Sequence, residues 1–356
     1  MRDALTSMPG LLHRLPEPPQ RVAVLRASRI GDFLCAMPAL RALRAALPGA
    51  RITLITVPLL RRLAERLPYV DEVAPFPGFP GIAVQLFEAQ NALRFLQRMQ
   101  AQRFDLALQL QGSGVYSNPF LLLLGARYNA GFVRAGDAAV RLDAALPLPQ
   151  HGHEIHRVMA LPVFLGALPA GDHTEFPLTH VDHLRAEALL QQMPRPLIGL
   201  HPTAHDPLRR WPLDRFEQTA RALHARYGGT VVILGGAGEY DYNRVLAERL
   251  GGICRDLTGL TALGTLGAVI TRLTLLITSD SGPAHIAYAL SAPTITIFRA
   301  SGSHRYGPLK AGPFRPLEPA AAVDCVSAEQ VTQSAMELIE WSEAATTSDL
   351  RTQSAR

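Results

Sequence analysis

The amino-acid sequence predicts an α/β protein with two doubly wound domains, each built around a parallel β-sheet. Short, continuously apolar segments alternate with helical segments, as expected for parallel strands that helices cover on both faces. This alternation restarts with the segment "LIGLHP", directly after the proline-bearing stretch that ends at Pro196. The length of 356 residues is also typical of two domains.

The first run of strands and helices begins at Arg21. An apolar strand, Arg21–Ser28, precedes a helix over Leu34–Leu47. The other elements predicted in this half are a strand at Ala50–Val57, a helix around Leu59–Leu67, an amphipathic segment at Gln85–Arg103 and a strand at Phe104–Leu110.

The second run ends in a long helix. Its predicted strands are Leu197–Pro202, Thr230–Gly236, Leu273–Gly282 and Pro293–Phe298, and its predicted helices are Leu213–Tyr227, Tyr240–Leu250, one from Pro283 and one at Ser327–Ala344. We expect the domain boundary in the polar region between Asp172 and Pro196. The predicted ranges are a flexible leader at 1–20, a first domain at 21–180, a second domain at 195–326, a C-terminal helix at 327–345 and a flexible tail at 346–356.

The composition is that of a globular protein in a reducing compartment. Hydrophobic residues make up 48% of the chain and charged residues 18%. The formal net charge of +5 favours an anionic ligand, but no basic block is interleaved with aromatic residues, so nucleic acid is not an expected partner. Cys35, Cys254 and Cys325 lie far apart, without the spacing of a zinc site or a disulfide framework, which indicates the cytoplasm.

No segment predicts membrane insertion. The first twenty residues lack the continuous apolar core of a signal peptide. The longest apolar runs, such as Phe120–Ala126, are far shorter than the roughly 20 residues that a spanning helix needs. We therefore expect a soluble protein, or one that lies on a membrane surface.

A strand-to-helix turn with the sequence Gly31-Asp32 follows the first predicted strand. On residue type alone, Asp32 is favoured as a helix cap, with Gly31 relieving the backbone. The alternative is catalytic, because a carboxylate at the carboxyl end of a parallel strand lies where ligands bind and can accept a proton from a hydroxyl. Arg26 and Arg29 flank it and are candidates for holding an anionic acceptor, against the simpler interpretation that they are solvated.

The segment "SDSGPAHIA" predicts an anion-binding turn at the start of a helix. Asp280, Ser281 and Gly282 leave a strand, Pro283 lies in the first helical turn, and His285 follows it. The unpaired N–H groups expected there, from Ser281 onward, and the helix dipole favour an anion. No phosphate-loop lysine pattern is present, so a diphosphate fits better than a triphosphate. The competing interpretation is a capped helix with a buried histidine.

A second polar turn follows the strand at Leu197–Pro202. Thr203 lies in the turn "HPT", and Arg209 precedes "RWP" at the start of a helix. A guanidinium in this position can hold phosphate oxygens in a bidentate manner. The alternative is that Trp211 anchors the loop and the arginines are solvated, and residue types alone leave this open.

Two further patterns resemble cofactor or metal motifs without matching them. Gly236 and Gly238 are followed by Asp241 where a dinucleotide fingerprint has its third glycine, so a nicotinamide enzyme is not expected. Glu239 in the same turn is a candidate for binding ribose hydroxyls, with a solvated surface glutamate as the alternative. "HGHEIHR" at His151–Arg157 has poor spacing for one helix face, so it predicts a helix start rather than a metal site.

Taken in chain order, the segments resemble glycosyltransferase family 9, the heptosyltransferase-like family of lipopolysaccharide assembly. The resemblance spans about Arg21–Leu338 and rests on "RIGDFLCAMPALRALRAALPGARITLIT", "FDLALQLQG", "GARYNAGF", "HRVMALPVFLGA", "IGLHPTA…RRWPLDRF", "VVILGGAGE", "DLTGLTALGTLGAVI" and "SDSGPAHIAYAL". It implies the GT-B architecture, in which an N-terminal acceptor domain and a C-terminal donor domain, both Rossmann-like, face a cleft and a C-terminal helix crosses back.

The resemblance also implies an inverting, metal-independent transfer of a sugar from a nucleotide diphosphate, by default ADP-heptose, to a lipid-linked saccharide acceptor. It makes Asp32 the catalytic base, with Gly31, Arg26 and Arg29 near the acceptor. The donor diphosphate would contact Arg209, Thr203, Asp280, Ser281, Gly282, Pro283 and His285, and the donor ribose and base would contact Glu239, Leu257 and Thr258. No cofactor or metal is implied, and we expect a cytoplasmic monomer, with peripheral contact at the cytoplasmic face of the inner membrane as the alternative to a freely soluble protein.

Three positions depart from the family pattern. Arg209 replaces a lysine, "RAS" at 299–301 replaces a glycine followed by Pro-Thr, and "HPTA" replaces the commoner His-Pro-Gly. These departures bear on the identity of the donor more than on the reaction type.

Two other functions remain open. A nucleotide-sugar 2-epimerase with a similar fold would interconvert nucleotide sugars without an acceptor. A non-catalytic nucleotide-sugar binding protein would bind donor without turnover and would tolerate replacement of Asp32.

Overall fold

The computed structural model describes residues 10–82, 84–137, 141–320 and 325–354. The chain divides into two compact units, Met1–Thr174 (unit 1) and Glu175–Arg356 (unit 2). Each unit has its own parallel sheet and its own buried core.

Unit 1 contains a parallel sheet that has six strands within the described residues. The strands are β1 (Arg21–Leu25), β2 (Arg51–Thr56), β3 (Glu72–Pro75), β4 (Leu106–Gln109), β5 (Tyr128–Val133) and β6 (Ala144–Pro147). The helices are α1 (Leu11–Arg14), α2 (Ile30–Ala46), α3 (Arg61–Ala64), α4 (Ala89–Ala101), α5 (Ser117–Leu122) and α6 (Glu154–Leu165). The spatial order β3-β2-β1-β4-β5-β6 is that of a Rossmann-type sheet, and it reverses between β1 and β4.

Unit 2 repeats this architecture. In its described part the strands are β7 (Leu197–His201), β8 (Thr230–Ile233), β9 (Cys254–Asp256), β10 (Leu275–Ser279), β11 (Thr294–Ile297) and β12 (Phe314–Leu317). The helices are α7 (His180–Leu190), α8 (Leu213–Tyr227), α9 (Tyr240–Leu250), α10 (Leu263–Ile270), α11 (Gly282–Ala289), α12 (Ser303–Tyr306) and α13 (Ala328–Ser354). The order β12-β11-β10-β7-β8-β9 reverses between β7 and β10, so unit 2 has the same topology as unit 1.

The central strands are apolar because both of their faces are covered. Val22, Ala23, Val24 and Leu25 of β1 have no exposed surface, and every residue of β7 and β10 is buried. In unit 2 the core also contains apolar side chains from the first half of α13, which packs against α8. The C-terminal helix is therefore part of the core of its own unit.

Both chain ends differ from the sequence-based expectation. The leader predicted at 1–20 is wrong for its described part, because Leu11–Arg14 form α1 and the Gly10 N–H donates to the Phe164 carbonyl oxygen at 2.8 Å. Residues 1–9 lie outside the described residues. The tail predicted at 346–356 is helical as far as Ser354, because α13 continues beyond its predicted end, and residues 355–356 lie outside the described residues.

The region between the two predicted domains contains α7, which belongs to unit 2. Thr179 and Asp182 form a capping box at its start, with the Thr179 N–H donating to Asp182 Oδ2 at 2.9 Å. The helix packs closely on α10, where a side chain on Gly264 would lie 2.3 Å from Asp182 Oδ1. Within the described ranges, no helix combines the length and the apolar character needed to cross a bilayer.

Candidate active site

Both sheets place their polar motifs at the carboxyl ends of the strands where the spatial order reverses. In unit 1 these strands are β1 and β4, and in unit 2 they are β7 and β10. At such a point the loops from neighbouring strands diverge in opposite directions and leave a crevice for a ligand.

Asp32 lies within the first turn of α2 rather than at its cap. The helix begins at Ile30, and Arg29 occupies the N-cap position without a side-chain hydrogen bond to the helix. The cap interpretation of Asp32 is therefore wrong. Its carboxylate is 37% exposed and lies at the positive end of the helix dipole, so it is open to a substrate.

Arg26 is buried behind Asp32 and holds the backbone of this turn. Its Nε donates to the Asp32 carbonyl oxygen at 3.1 Å, its Nη2 donates to the same oxygen, and its Nη1 donates to the Leu110 carbonyl oxygen after β4. Its Nη2 also lies 3.9 Å from Asp32 Oδ1. This corrects the expectation that Arg26 holds an acceptor, because the guanidinium is only 4% exposed and is bonded to the main chain.

Arg29 and Gly31 lie on the outer side of the same turn. The Arg29 side chain is exposed, and no hydrogen bond or ion pair engages its guanidinium among the described residues. It is therefore the cationic group of this turn that remains open to an anionic acceptor.

In unit 2, Asp280 directly follows β10, and α11 starts two residues later. Ser281 is the N-cap residue with an extended backbone, Pro283 lies in the first turn, and the Ala284 N–H donates to the Ser281 carbonyl oxygen at 3.1 Å. The observed set of unpaired N–H groups is therefore smaller than the predicted set, because Pro283 has no N–H group and the Ala284 N–H is hydrogen-bonded within the turn. Among the described residues, the N–H groups of Ser281 and Gly282 have no protein acceptor, and they remain for an anion.

Asp280 and Arg209 form an ion pair at this turn. Arg209 Nη1 lies 3.2 Å from Asp280 Oδ2, and the Ser301 hydroxyl donates to the same carboxylate oxygen. Asp280 is buried, whereas the Arg209 side chain is 34% exposed. The carboxylate therefore orients the guanidinium while leaving part of it accessible.

Aromatic rings extend this cluster toward His285. The Arg209 guanidinium lies over the Tyr306 ring at 5.7 Å, and the Tyr306 ring meets the His285 ring edge-on at 6.1 Å. His285 is buried and also packs edge-on against Tyr288. This matches the simpler interpretation of His285 as a buried histidine in the first turns of α11.

A buried polar network connects the ends of β7, β8 and β10. His201 Nε2 lies 3.2 Å from the Thr203 hydroxyl and 3.6 Å from Glu239 Oε2, while His201 Nδ1 lies 3.1 Å from the Ser281 hydroxyl. The Thr203 hydroxyl donates to Glu239 Oε1. Thr203 is therefore engaged by Glu239, which differs from its expected contact with a diphosphate.

Glu239 is held by this network and is not a solvated surface residue. Its Oε2 accepts a hydrogen bond from the Gly236 N–H at 2.7 Å. Burial alone raises the pKa of Glu239, but hydrogen bonding and charge from His201, with hydrogen bonds from Thr203 and Gly236, lower the pKa to about 2. The carboxylate is thus ionised at neutral pH, and it retains lone pairs for a hydroxyl of a ligand.

Leu257 and Thr258 follow β9 and are both buried. The Thr258 hydroxyl accepts a hydrogen bond from Asn243 Nδ2 at 2.8 Å, and the Thr258 N–H donates to Asp256 Oδ1 at 2.8 Å. The Thr258 side chain therefore fixes this loop against α9, beside the Glu239 turn.

Trp211 anchors the loop that carries Arg209. Its side chain is fully buried, its Nε1 donates to the Val326 carbonyl oxygen at 2.9 Å, and its backbone N–H donates to the Ser279 hydroxyl at 3.1 Å. Arg210 stacks on the Tyr242 ring at 4.8 Å. Trp211 therefore anchors the loop, as the alternative interpretation expected. The second part of that interpretation is wrong, because Arg209 and Arg210 are both engaged by other residues and are not simply solvated.

The histidine-rich segment starts α6, as predicted. His153 Nδ1 accepts a hydrogen bond from the Ile155 N–H at 3.2 Å as the N-cap of that helix, and His156 Nε2 lies 4.0 Å from Asp172 Oδ2. In the part of the chain that the structure describes, no three histidine, cysteine, aspartate or glutamate side chains form a group that could hold a metal ion.

Sequence reasoning missed three participants in the unit 2 site. His201 was recognised only as part of a turn, and Ser301 and Tyr306 were not predicted to take part. Each makes a contact at the site with a residue at least 20 positions away along the chain: His201 with Ser281, Ser301 with Asp280 and Tyr306 with His285. The available signal is a polar residue at the end of a strand for His201 and one in the loop that follows a strand for Ser301.

Two Rossmann-type units, each with a parallel six-stranded sheet in its described part, have the architecture of the GT-B class of α/β fold. Solved structures agree with this class. The structure overlaps the glycosyl transferase family 9 protein of Veillonella parvula with a TM-score of 0.78 at 21% identity, covering 90% of this chain and 97% of that one. It overlaps the ADP-heptose LPS heptosyltransferase II of E. coli with a TM-score of 0.76 at 22% identity, covering 91% of this chain and all of that one.

The family model described as "Glycosyltransferase family 9 (heptosyltransferase)" matches residues 92–331, and the chain belongs to this family. It is therefore a glycosyltransferase. Lipopolysaccharide heptosyltransferase 2 of Salmonella typhimurium is 29% identical over 307 residues, which cover 81% of this chain and 85% of the relative. The E. coli enzyme of the same name is 27% identical over the same coverage. Family membership favours a transferase over the epimerase and the non-catalytic binding protein.

Proposed function

We propose that this glycosyltransferase transfers a heptose from ADP-heptose to a lipopolysaccharide core acceptor, with inversion at the anomeric carbon. The observation that carries the proposal is the turn from Asp280 to Gly282 at the end of β10, with two unpaired N–H groups and the Arg209 guanidinium. Relatives named as lipopolysaccharide heptosyltransferases, and a solved heptosyltransferase with ADP, support the choice of donor and acceptor.

The proposal assigns the acceptor to unit 1 and the donor to unit 2. An acceptor hydroxyl attacks the anomeric carbon of the donor sugar, and the Asp32 carboxylate accepts the proton of that hydroxyl. The bond between the anomeric carbon and the diphosphate oxygen breaks at the same time. Arg209 and the N–H groups of Ser281 and Gly282 stabilise the negative charge of the departing diphosphate.

Glu239 would bind the donor ribose in this scheme. Its carboxylate is ionised and fixed by Thr203, Gly236 and His201, so a ribose hydroxyl can donate to it without moving the side chain. The network would thereby connect the ribose position to Ser281 at the diphosphate turn through the two ring nitrogens of His201.

The first test is a thermal-shift screen with ADP, UDP and GDP. A ligand that binds only the folded state raises stability by about 3 kcal/mol at one hundred times its dissociation constant. We expect ADP to give the largest shift, and no shift with any of the three would contradict the proposal.

The second test replaces the base with Asp32→Asn. We expect kcat for heptose transfer to fall by about 10²–10⁴-fold, while ADP binds as it does to the unmodified protein. Glu65→Gln, an equivalent change at an exposed ion pair of unit 1, is the control. Unchanged kcat in Asp32→Asn would remove Asp32 from the mechanism.

A further inference from the structure

We propose that Arg299, together with Arg209, binds the diphosphate of the donor. This inference rests on the proposed function and names a specificity-determining residue of the same site. Arg299 lies at one of the positions where the sequence departs from the family pattern. Binding of the diphosphate by this arginine would therefore be specific to this chain and to relatives with an arginine at the same position.

The position of Arg299 brings it to the diphosphate turn. It follows β11, the strand next to β10, and the Asp280 N–H donates to the Ile297 carbonyl oxygen at 3.1 Å. Two residues after Arg299, the Ser301 hydroxyl donates to the Asp280 carboxylate. Hydrogen bonds to Asp280 therefore hold the chain both before and after Arg299.

The two arginines are also connected through the loop after β7. Arg299 Nη1 donates to the Arg210 carbonyl oxygen at 2.6 Å, and Arg210 is the neighbour of Arg209 in the chain. One hydrogen bond thus fixes the Arg299 guanidinium beside the segment that carries the Arg209 guanidinium.

The remaining hydrogen-bonding capacity of Arg299 is unused. Its Nε is buried and has no hydrogen-bond partner, and neither an acceptor for Nη2 nor a carboxylate within ion-pair distance is found among the described residues. Arg209 Nε is likewise buried without a partner. Because a partly buried guanidinium without an acid is costly, an anion at this position would satisfy both side chains.

The charges at the turn indicate the kind of anion. Asp280 compensates the charge of Arg209, so this pair alone leaves the turn close to neutral. Arg299 adds one uncompensated positive charge, and the start of α11 adds a partial positive charge. A diphosphate carries more negative charge than a monophosphate and spreads it over two phosphoryl groups, so it can contact the Arg209 and Arg299 guanidinium groups at the same time.

The test compares ADP and AMP binding by calorimetry in the full-length protein. We expect Arg299→Ala to lower the ratio of ADP affinity to AMP affinity by about tenfold, the effect of losing one charge-assisted hydrogen bond. Arg299→Lys should restore part of the ratio, because it keeps the charge without the planar fork. Arg226→Ala, which removes an exposed arginine stacked on Tyr227, should leave the ratio unchanged.

The outcomes separate this inference from the proposed function. If the unmodified protein binds ADP more tightly than AMP and Arg299→Ala keeps the same ratio, Arg299 does not contact the diphosphate although the function stands. Equal weakening of ADP and AMP would show that Arg299 only supports the loop, and would also overturn the inference. If the unmodified protein binds neither nucleotide, the proposed function fails and the inference fails with it.

Discussion

The Glu239 carboxylate is stabilised in its ionised form by groups from two strand ends. Its pKa is about 2 in the folded chain and 4.5 for an unperturbed side chain. The lowered pKa means that the contribution of Glu239 to stability is fully present above pH 4.5 and is lost as the pH falls from 4.5 toward 2. Since the side chain is 32% exposed, solvent screening reduces the contribution to about 2 kcal/mol.

We therefore expect Glu239→Gln to lower the free energy of unfolding by about 2 kcal/mol at pH 7. The difference from the unmodified protein should shrink as the pH is lowered from 4.5 toward 2, because the unfolded chain then takes up a proton at Glu239 while the native carboxylate stays ionised. Urea unfolding at pH 7, 5, 4 and 3 measures this difference in the free energy of unfolding. Glu187→Gln on the exposed face of α7 is the control, and a pH-independent difference for Glu239→Gln would contradict the lowered pKa.

Arg26 acts on Asp32 through the main chain, which makes it a positioning residue for the proposed base. We expect Arg26→Met to lower the free energy of unfolding by about 1–3 kcal/mol, because it leaves the Asp32 and Leu110 carbonyl oxygens without their donor. We also expect a lower kcat with little change in ADP affinity, and partial rescue of kcat by Arg26→Lys.

The control for Arg26 is Arg21→Met. Arg21 also donates to a backbone carbonyl oxygen, that of Gln102 at 2.8 Å, but it lies at the exposed start of β1. Urea unfolding and steady-state kinetics on the three variants test the prediction. An Arg26→Met variant with unchanged kcat would show that the position of Asp32 does not depend on Arg26.

At the scale of secondary structure, elements with strong local patterns were predicted well. The predicted bounds of α8 and α9 agree with the structure, because both helices have an apolar face of regular spacing. The strands β3, β5, β6, β9 and β12 were not predicted; of these, β9 has only three residues, and β12 is partly exposed and contains Pro316. Such strands are stabilised by pairing with a neighbour, which a local pattern does not record.

The candidate site likewise contains features that the sequence predicts and features that it does not. Asp32 lies in the first turn of α2, Asp280 directly follows β10, and Arg209 lies in the loop between β7 and α8, so their positions near strand ends could be predicted from the sequence. The engaged state of Thr203 and the burial of Arg26 depend on Glu239 and Leu110, which lie 36 and 84 residues away. These contacts exist only after the strands are arranged in the order of the folded sheet.

The helix α7 depends on close packing against α10. Gly264→Ala should lower the melting temperature by several degrees, because the added methyl group would lie 2.3 Å from Asp182 Oδ1 and overpacking costs about 1–3 kcal/mol. This loss opposes a gain of up to about 1 kcal/mol in helix propensity. Gly252→Ala, with no atom within 4 Å of the added group, is the control. Equal melting temperatures for both variants would contradict the close contact of α7 with α10.

At the scale of the whole molecule, the same sheet order occurs twice, so each unit has one reversal of strand order of the kind beside which ligands bind in open α/β sheets. The reversal between β1 and β4 lies beside Asp32, and the reversal between β7 and β10 lies beside Asp280. Two repeats of one topology thus carry different side chains, because the turn after β1 has a partly exposed carboxylate whereas the turn after β10 has unpaired N–H groups beside the Arg209 guanidinium from the loop after β7. The proposed division of roles between acceptor and donor rests on these two turns.

Hydrogen exchange measured by mass spectrometry tests this division in the full-length protein. We expect ADP to slow exchange in the loops after β7, β8, β10 and β11, because these loops carry Arg209, Glu239, Ser281 and Arg299. Asp32→Asn should show the same protection by ADP, since the change removes a proton acceptor and leaves the unit 2 turn intact. Protection by ADP that is confined to the turn after β1 would place the donor in unit 1 and contradict the proposed roles. Loss of the protection in Asp32→Asn would likewise show that ADP binding depends on unit 1.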